Sequence, residues 1–411
     1  MTTARRLILG LFFAASASLT YAGDWPHWRG PSDLAIAEAG PAPPAEFSPS
    51  DNVVWKTPVP GRGHSSPIIV GDKVILTTAD KRQQTQSVLC FNRETGKPVW
   101  TTVVNTGGLP AEIHAKNTHA SPTAACDGKN LYVVFNNNDS VQVAALTLDG
   151  EILWKKQGPF KPQQFKFGYG PSPLLYDDLV IVAAEYEQGY LVALNKKDGS
   201  IVWNVGRPQI SFSSPIVAKI AGRDQLLISG LNKVSSLDPK TGKELWSVEG
   251  PAVATCGTLV WEGDTVFASG GYPEKETIAI KADGSGKILW RAPVKCYEQS
   301  MLAAGGYVYA FSDDGIAFCW NAETGEEMWK RRLGGPVSSS PTLAGDTIFA
   351  FNERGKCFVF KTNPEKFELV AENQLGDEAF ASPSFCDGKM FMRTADSSSG
   401  TRQETLYCIG E

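Results

Sequence analysis

Three of the four histidines of this chain stand where they could share one site. His64 and His119 each lie just before a Ser-Pro element, at residues 65–67 and 120–122, and His114 lies on the intervening loop. Neighbouring imidazoles can hold a metal ion or act as an acid–base pair near neutral pH. A metal would need a third ligand, for which His114 is the first candidate. The alternative is a solvated rim in which each imidazole bonds to water or to a loop carbonyl.

The residues before the Ser-Pro elements are predicted to face one mouth of a central channel, because these elements recur and a proline fits best where a strand begins. Side chains that differ between repeats at this mouth are the candidates for ligand binding. They are Arg62, His64, His114, Asn117, His119, Tyr169, Phe212, Gln299 and Phe380. We assign no catalytic and no metal-ligating residue, since the chain has no G-x-S-x-G, Walker or H-E-x-x-H motif.

The elements that position these side chains belong to a repeat made of a small residue, a polar turn, a glycine and a tryptophan. Cys90, Gly96 and Trp100 form one copy. Copies follow one another about every 40 to 55 residues, each with roughly four strand-sized runs, which is typical of a propeller blade. Each tryptophan is predicted to cover the glycine turn of an adjacent blade. The set is Trp55, Trp100, Trp154, Trp203, Trp246, Trp290 and Trp329, with Gly96, Gly150, Gly199, Gly242 and Gly325.

The repeats predict an all-β fold, an eight-bladed β-propeller of four-stranded antiparallel blades. The seventh repeat is degenerate, with Val370 at the expected position of the tryptophan. The eighth stops after Cys408, so its last strand must come from elsewhere. We expect the N-terminal strand around Val53–Trp55 to complete it, which closes the ring and removes the exposed sheet edges.

The N-terminus divides into two further segments. Residues 1–22 have a basic start, a short apolar run and small residues up to Ala22, which predicts a signal peptide cleaved near Ala22. Residues 23–51 are rich in proline and contain Trp25 and Trp28. We expect this segment to be a strap packed on the propeller of residues 52–411. The alternative is a segment that covers a ligand or binds a partner.

The composition limits the partners and the compartment. The net charge is −5 without a basic stripe, which argues against nucleic acid. No other stretch has transmembrane length, so we expect an exported monomer, periplasmic or extracellular. The eight cysteines include no C-x-x-C pair and alternate with Ala and Ser in the repeats, which favours small buried side chains, with one or two disulfides as the alternative.

The motif at Cys90–Trp100, Ser236–Trp246 and Cys319–Trp329 resembles the pyrroloquinoline-quinone (PQQ) type propeller repeat. Residues 25–31, 63–67 and 313–317 further resemble exported single-domain members of planctomycete-type bacteria. For quinoprotein dehydrogenases the resemblance implies PQQ with Ca²⁺, a catalytic Asp and often a vicinal Cys pair. This chain has no vicinal Cys pair. Its length and blade count also resemble the propeller subunit of the outer-membrane barrel assembly machine, a scaffold without catalysis.

The sequence is therefore consistent with two functions. The first is a non-catalytic binding or scaffold module, without a cofactor, for a protein, peptide or glycan of the cell envelope. The second is a quinone- or metal-dependent oxidoreductase that uses the mouth at the first two blades, with PQQ and Ca²⁺ as its cofactors. Absorbance and metal content of the purified protein separate the two.

Overall fold

The computed structural model describes residues 23–158, 167–184, 189–207 and 211–411. Within these ranges the strands form eight four-stranded antiparallel sheets, arranged as the blades of a propeller. The predicted all-β, eight-bladed fold is confirmed. None of the described residues forms a helix long and apolar enough to cross a membrane.

Blades are numbered here by the order of their innermost strands, and each is given from its inner to its outer strand. Blade 1 comprises Ile68–Val70, Lys73–Asp80, Thr85–Asn92 and Pro98–Thr106; blade 2 Ala125–Cys126, Asn130–Asn137, Ser140–Thr147 and Ile152–Gln157; blade 3 Leu174–Tyr176, Leu179–Ala184, Tyr190–Asn195 and Ile201–Gly206; and blade 4 Ile216–Ile220, Arg223–Gly230, Lys233–Leu237 and Glu244–Glu249.

The second half of the ring repeats the pattern. Blade 5 comprises Val260–Glu262, Thr265–Gly270, Glu276–Lys281 and Ile288–Ala292; blade 6 Leu302–Ala304, Tyr307–Phe311, Ile316–Asn321 and Glu327–Arg332; blade 7 Thr342–Ala344, Thr347–Phe351, Lys356–Lys361 and Leu369–Gln374; and blade 8 Ser384–Cys386, Lys389–Asp396, Gln403–Ile409 and Val53–Val59.

Burial explains why these segments form strands in this order. The middle strands, such as Lys73–Asp80, are buried along almost their whole length because neighbouring blades cover both faces. The outer strands, such as Ile152–Gln157, bury only their tryptophan. Continuous apolar runs therefore mark the middle of each blade, and mixed sequences mark its rim.

The ring closes as predicted. Val53–Val59 pairs antiparallel with Gln403–Ile409, and Trp55 lies opposite Cys408. The two ends of the chain thus share one sheet, so the closure leaves no blade without its fourth strand.

Each repeat tryptophan pairs with a small residue across a bulge of its own blade, as Trp154 does with Ala145. Its indole reaches the next blade, where Nε1 of Trp154 donates to the carbonyl of Lys196 at 2.9 Å. A Cβ added at Gly199 would lie 2.7 Å from the same ring. The side chain and the glycine turn thus form a close contact between blades.

Two blades depart from this contact. Nε1 of Trp246 donates at 2.6 Å to the side chain of Gln225 in its own blade. In blade 7 the register places Ala371, rather than Val370, opposite Val359 at the position of the tryptophan. The prediction for Val370 was therefore one residue early, because Leu369 already pairs with Phe360 across the bulge.

The strap crosses the end of the channel where the inner strands finish. Trp25 forms a β-bridge with Ile69 of blade 1, and Ile36 forms one with Leu343 of blade 7. The buried guanidinium of Arg29 donates to the carbonyl of Met301 in blade 6 at 2.6 Å. The bond from Trp28 to Thr258, just before blade 5 and opposite blade 1, completes a set of contacts that holds the segment across the axis.

We expect loss of the blade contact to be costly. Trp154→Ala removes a side chain that is 9% exposed, so it should lower the free energy of unfolding by about 3–5 kcal/mol in urea titrations. The neighbouring Leu153 is 50% exposed, so Leu153→Ala should change the free energy of unfolding by less than about 0.5 kcal/mol. Equal losses in the two variants would show that the indole contact does not hold the blades together.

Candidate functional site

A ring of hydroxyl groups surrounds the channel axis, one from each blade. Its members are Ser66, Thr123, Ser172, Ser214, Thr258, Ser300, Ser340 and Ser382, and we call them the hydroxyl ring. Each lies two residues before the start of an inner strand. The predicted Ser-Pro elements contribute most of these residues.

The hydroxyl ring joins the blades through one repeated hydrogen bond. The backbone N–H of Ser66 donates to Oγ1 of Thr123 at 2.9 Å, and Thr123 donates in the same way to Ser172 at 3.0 Å. The same bond, at 2.9 Å, occurs at five further junctions. At the junction of blades 4 and 5, Oγ1 of Thr258 accepts Nε1 of Trp28 from the strap at 2.9 Å. Every ring hydroxyl therefore accepts a protein N–H.

This geometry explains why blades 5 and 6 keep a hydroxyl although they lack the proline. Thr258 and Ser300 stand where the other blades have Ser-Pro or Pro-Thr. A proline fixes the start of the strand, whereas the hydroxyl makes the bond to the next blade. The hydroxyl is therefore the feature common to all eight blades.

A cavity of about 290 Å³ lies on the axis. Trp28 forms its floor, the hydroxyl ring forms its wall, and the loops before the inner strands form its mouth. The strap thus gives the channel one covered end and one mouth.

Five of the predicted ligand-binding residues line this cavity, namely His64, His114, Asn117, Phe212 and Phe380. The imidazole of His64 stacks on the ring of Phe380, with centroids 4.3 Å apart and planes 8° from parallel. Asn117 does not point freely into the cavity, because its side chain donates to the carbonyl of Phe167 and accepts from Thr118 and Ser121.

The structure places the other four predicted residues outside the cavity lining. Arg62 is partly exposed and lies 4.0 Å from Glu378. His119 and Tyr169 line a separate cavity of about 10 Å³. Gln299 is buried, and its amide donates to the carbonyl of Phe311. A ligand-binding role for these nine residues remains a prediction.

His64 and His119 do not occupy equivalent positions. The bond from Ser66 to Thr123 shows that the residue equivalent to His64 in blade 2 is Ser121. The Ser-Pro alignment was displaced by two residues there, because in blade 2 the ring hydroxyl follows the proline instead of preceding it. The two imidazoles therefore line different cavities.

A buried ion pair of blade 8 positions the loop that carries His64. Arg393 donates to Glu404 at 2.7 Å, and both side chains are 2% exposed. The same guanidinium donates to the carbonyl of Thr77 and to Oγ of Ser65. A Cβ at Gly63 would lie 2.7 Å from this guanidinium, so the loop can pass only with glycine there.

His64 is held neutral by its surroundings. Burial lowers its pKa well below the ordinary value, and the positive charges of Arg62, Arg393 and Arg402 lower it further. Nε2 of this imidazole is buried and has no hydrogen-bond partner in the described protein. The neutral ring therefore retains a buried nitrogen whose hydrogen-bonding capacity is unused in the described protein.

Sequence reasoning missed a charged cluster at the mouth. Lys116 lies 2.7 Å from Glu353 and 3.7 Å from Glu298. The hydroxyl of Ser338 lies between the two carboxyl groups, 2.6 Å from Glu353 and in hydrogen-bond contact with Glu298. We call these four residues the carboxylate cluster.

A serine hydroxyl has one proton, so it can donate to only one of two carboxylates. The other contact requires a proton on a carboxyl group. Burial raises the pKa of Glu298, and the negative charges of Glu353 and Asp313 raise it further, against the hydrogen bond of Ser338 and the charge of Lys116. Protonation of Glu298 would satisfy both contacts.

The only signal in the sequence that could have found the cluster is that Glu298 and Ser338 precede ring elements, as His64 does. Lys116 and Glu353 lie on loops of blades 2 and 7, on different sides of the ring. No spacing along the chain predicts that these loops meet.

The cavity does not fit a quinone–Ca²⁺ pair. Among the described residues, no group of three or more His, Cys, Asp or Glu side chains is arranged to hold a metal ion. The carboxylates at the mouth already contact an ammonium and a hydroxyl group. A divalent cation there would have to displace Lys116 from Glu353.

The thiols do not form a reactive centre. All eight cysteines are free. Burial raises the pKa of Cys256, which lines the cavity, and it raises the pKa of Cys90 and of Cys126 to about 12. Since the thiolate is the reactive form, these side chains act as small packing residues.

The fold and the cavity define a PQQ-type β-propeller whose central channel is covered at one end. The family described as outer membrane protein assembly factor BamB matches residues 47–114, 84–330 and 274–363. The chain belongs to this family, and the resemblance noted from the repeats is confirmed.

Individual relatives agree with this assignment. Outer membrane protein assembly factor BamB of Burkholderia pseudomallei (strain K96243) is 23% identical over 371 residues, which cover 80% of this chain and 93% of the relative. The crystal structure of BamB from Moraxella catarrhalis has a TM-score of 0.63 at 15% identity, covering 86% and 96% of the two chains.

A europium-containing methanol dehydrogenase has a TM-score of 0.69 at 11% identity, covering 95% of this chain and 98% of its own. At such identities both structures establish the shared fold alone.

We expect Glu298→Gln to stabilise the protein in a pH-dependent way. Because the folded pKa of Glu298 is raised, its carboxyl favours the folded state below the unfolded pKa, and this contribution is lost as the pH rises through the folded pKa. The neutral amide avoids that loss, so Tm should rise at pH 7 and the gain should vanish below about pH 4. Glu323→Gln, at an exposed turn, is the control. A gain that persists at low pH would contradict the assignment.

Proposed function

We propose that this protein is an exported, non-catalytic binding or scaffold module of the cell envelope. It engages a protein, peptide or glycan through the mouth of the central cavity. The observation that supports this most directly is the one-ended channel. The strap covers one end with Trp28, while aromatic rings and the carboxylate cluster face the other.

The chemistry of the mouth supports binding rather than reaction. The carboxyl groups are joined through Ser338 and Lys116, the lowered pKa of His64 keeps its ring neutral, and burial raises the pKa of the cavity thiol Cys256. A nucleophile beside a free base is the usual mark of covalent catalysis. At the mouth the hydroxyl of Ser338 contacts carboxyl groups, but these are already paired with Lys116. Large aromatic side chains with a few polar groups are typical of recognition sites.

The family supports the scaffold role. The relatives are named outer membrane protein assembly factors, a role in which we expect a protein to bind other proteins. We propose an envelope location for this chain by the same reasoning, periplasmic or extracellular. The predicted signal peptide at residues 1–22 lies outside the described residues. A monomer remains our prediction.

Photo-cross-linking tests the proposed mouth. A benzophenone amino acid in place of Phe167, which is 43% exposed and lines the cavity, should cross-link discrete envelope components in living cells. The same group in place of Glu323, on an exposed turn of blade 6 at the strap end, should not give those products. Excess unlabelled protein should compete the products away, because specific sites saturate.

Purification tests the oxidoreductase alternative. The binding module should come from the periplasm without stoichiometric quinone absorbance or bound metal. A chromophore or metal that is lost in His64→Ala would overturn the proposal. Identical cross-links from positions 167 and 323 would also contradict it, because the mouth would then have no special role.

A further inference from the structure

We propose that the central cavity binds the uncharged end of a glycan. This inference rests on the proposed binding function and names the ligand class of its site. The cavity combines convergent hydroxyl donors, aromatic rings and an internally balanced charge cluster. Each of these favours a compact, neutral and oxygen-rich ligand.

The hydroxyl ring supplies the donors. Each of its oxygens accepts an N–H, from a neighbouring backbone or from Trp28. None of the ring hydroxyls donates its own proton to an acceptor in the described protein. Their O–H groups line the cavity and are available to oxygens on the axis.

Aromatic side chains supply the second feature. Seven side chains with rings line this one cavity: Trp28, His64, His114, Phe167, Phe212, Tyr297 and Phe380. The rings of Phe167 and Phe212 meet edge to face, with centroids 5.8 Å apart, and both side chains line the cavity. The C–H face of a sugar ring packs on such surfaces, while its hydroxyls reach the polar groups between them.

The charges argue against ionic ligands. Lys116 is already paired with Glu353, and it lies near Glu298. An anionic ligand would meet two carboxyl groups, and a cationic ligand would have to compete with the lysine. Removing either partner of the pair would leave a charge uncompensated, which is costly. A neutral ligand avoids both conflicts.

The unpartnered nitrogen of His64 fits a sugar hydroxyl. His64 lines the cavity, its Nε2 is buried without a partner in the described protein, and the neutral imidazole can carry its proton on either nitrogen. A hydroxyl can donate to this atom or accept from it, so it satisfies both tautomers. The carboxyl group of Glu298 offers a further acceptor nearby.

The volume of the cavity limits the size of the ligand. About 290 Å³ lies at the lower end of the range for small-molecule pockets, roughly 300–1,000 Å³. One or two sugar rings fit such a space, so we expect recognition of a chain end. The rest of the glycan would extend through the mouth, because the strap covers the other end.

Binding measurements on the intact mature protein test this inference. The probes are cellobiose, N,N′-diacetylchitobiose and maltotriose, with chitosan dimer and digalacturonate as charged counterparts. Calorimetry and saturation-transfer NMR should show saturable binding of at least one neutral probe and weaker binding of both charged probes. The ring resonances of His64 should shift on saturation, which a change confined to the outer surface would not produce.

Variants locate the site. Phe380→Ala and Phe212→Ala should each weaken the binding of the neutral probe by about tenfold or more, whereas Tyr272→Ala should not. Tyr272 is 67% exposed and does not line the cavity, so it is a matched aromatic control. Thermal unfolding of each variant identifies a folding defect. If one phenylalanine variant fails to fold, the loss of binding in the other still tests the site.

Three outcomes would overturn the inference: no neutral probe binds at about 10 mM, a charged probe binds more tightly, or both phenylalanine variants bind as well as the parent protein. Cross-linking of an envelope protein from position 167 without saccharide binding would overturn the glycan inference and leave the proposed binding function intact. If neither cross-linking from position 167 nor saccharide binding is observed, the proposed function is rejected as well.

Discussion

The structure depends on hydrogen bonds between adjacent blades at the centre of the ring. The backbone N–H of each ring residue precedes its inner strand and therefore lies outside the hydrogen-bond ladder of its own sheet. A hydroxyl from the neighbour accepts it at most junctions, as Oγ of Ser382 accepts the N–H of Ser340. Buried N–H groups that lack a partner are costly, so the ring needs a hydroxyl in each blade. The tryptophan contacts, such as Trp154 on Gly199, provide the matching connection at the outside.

Because the inner and outer connections repeat, differences between blades collect at the mouth and at the strap. The strap uses Trp28 to replace one inter-blade hydrogen bond, and this places an indole on the channel axis. At the mouth, His64, Lys116 and Glu298 come from blades 1, 2 and 6, and they give the cavity its polarity. A fold shared by assembly factors and dehydrogenases can therefore present a distinct cavity without changing its blades.

The sequence predicted part of this site. His64 and Phe380 were found because a recurring Ser-Pro element marks the mouth, and they lie stacked at the cavity. His119 was misplaced because the proline and the hydroxyl exchange order in blade 2. Glu353 was missed because its loop follows the second strand of blade 7 instead of preceding the first. Alignment by one motif finds only the residues attached to that motif.

The sequence by itself determined the eight blades, the tryptophan positions and the closure of the ring, because these follow from short motifs repeated along the chain. The tertiary structure alone decided that the strap crosses the axis and that Trp28 reaches Thr258, 230 residues away in the chain. It also decided that Lys116 meets Glu353, 237 residues away. Such contacts depend on how the ring closes in space, and no local pattern of residues records them.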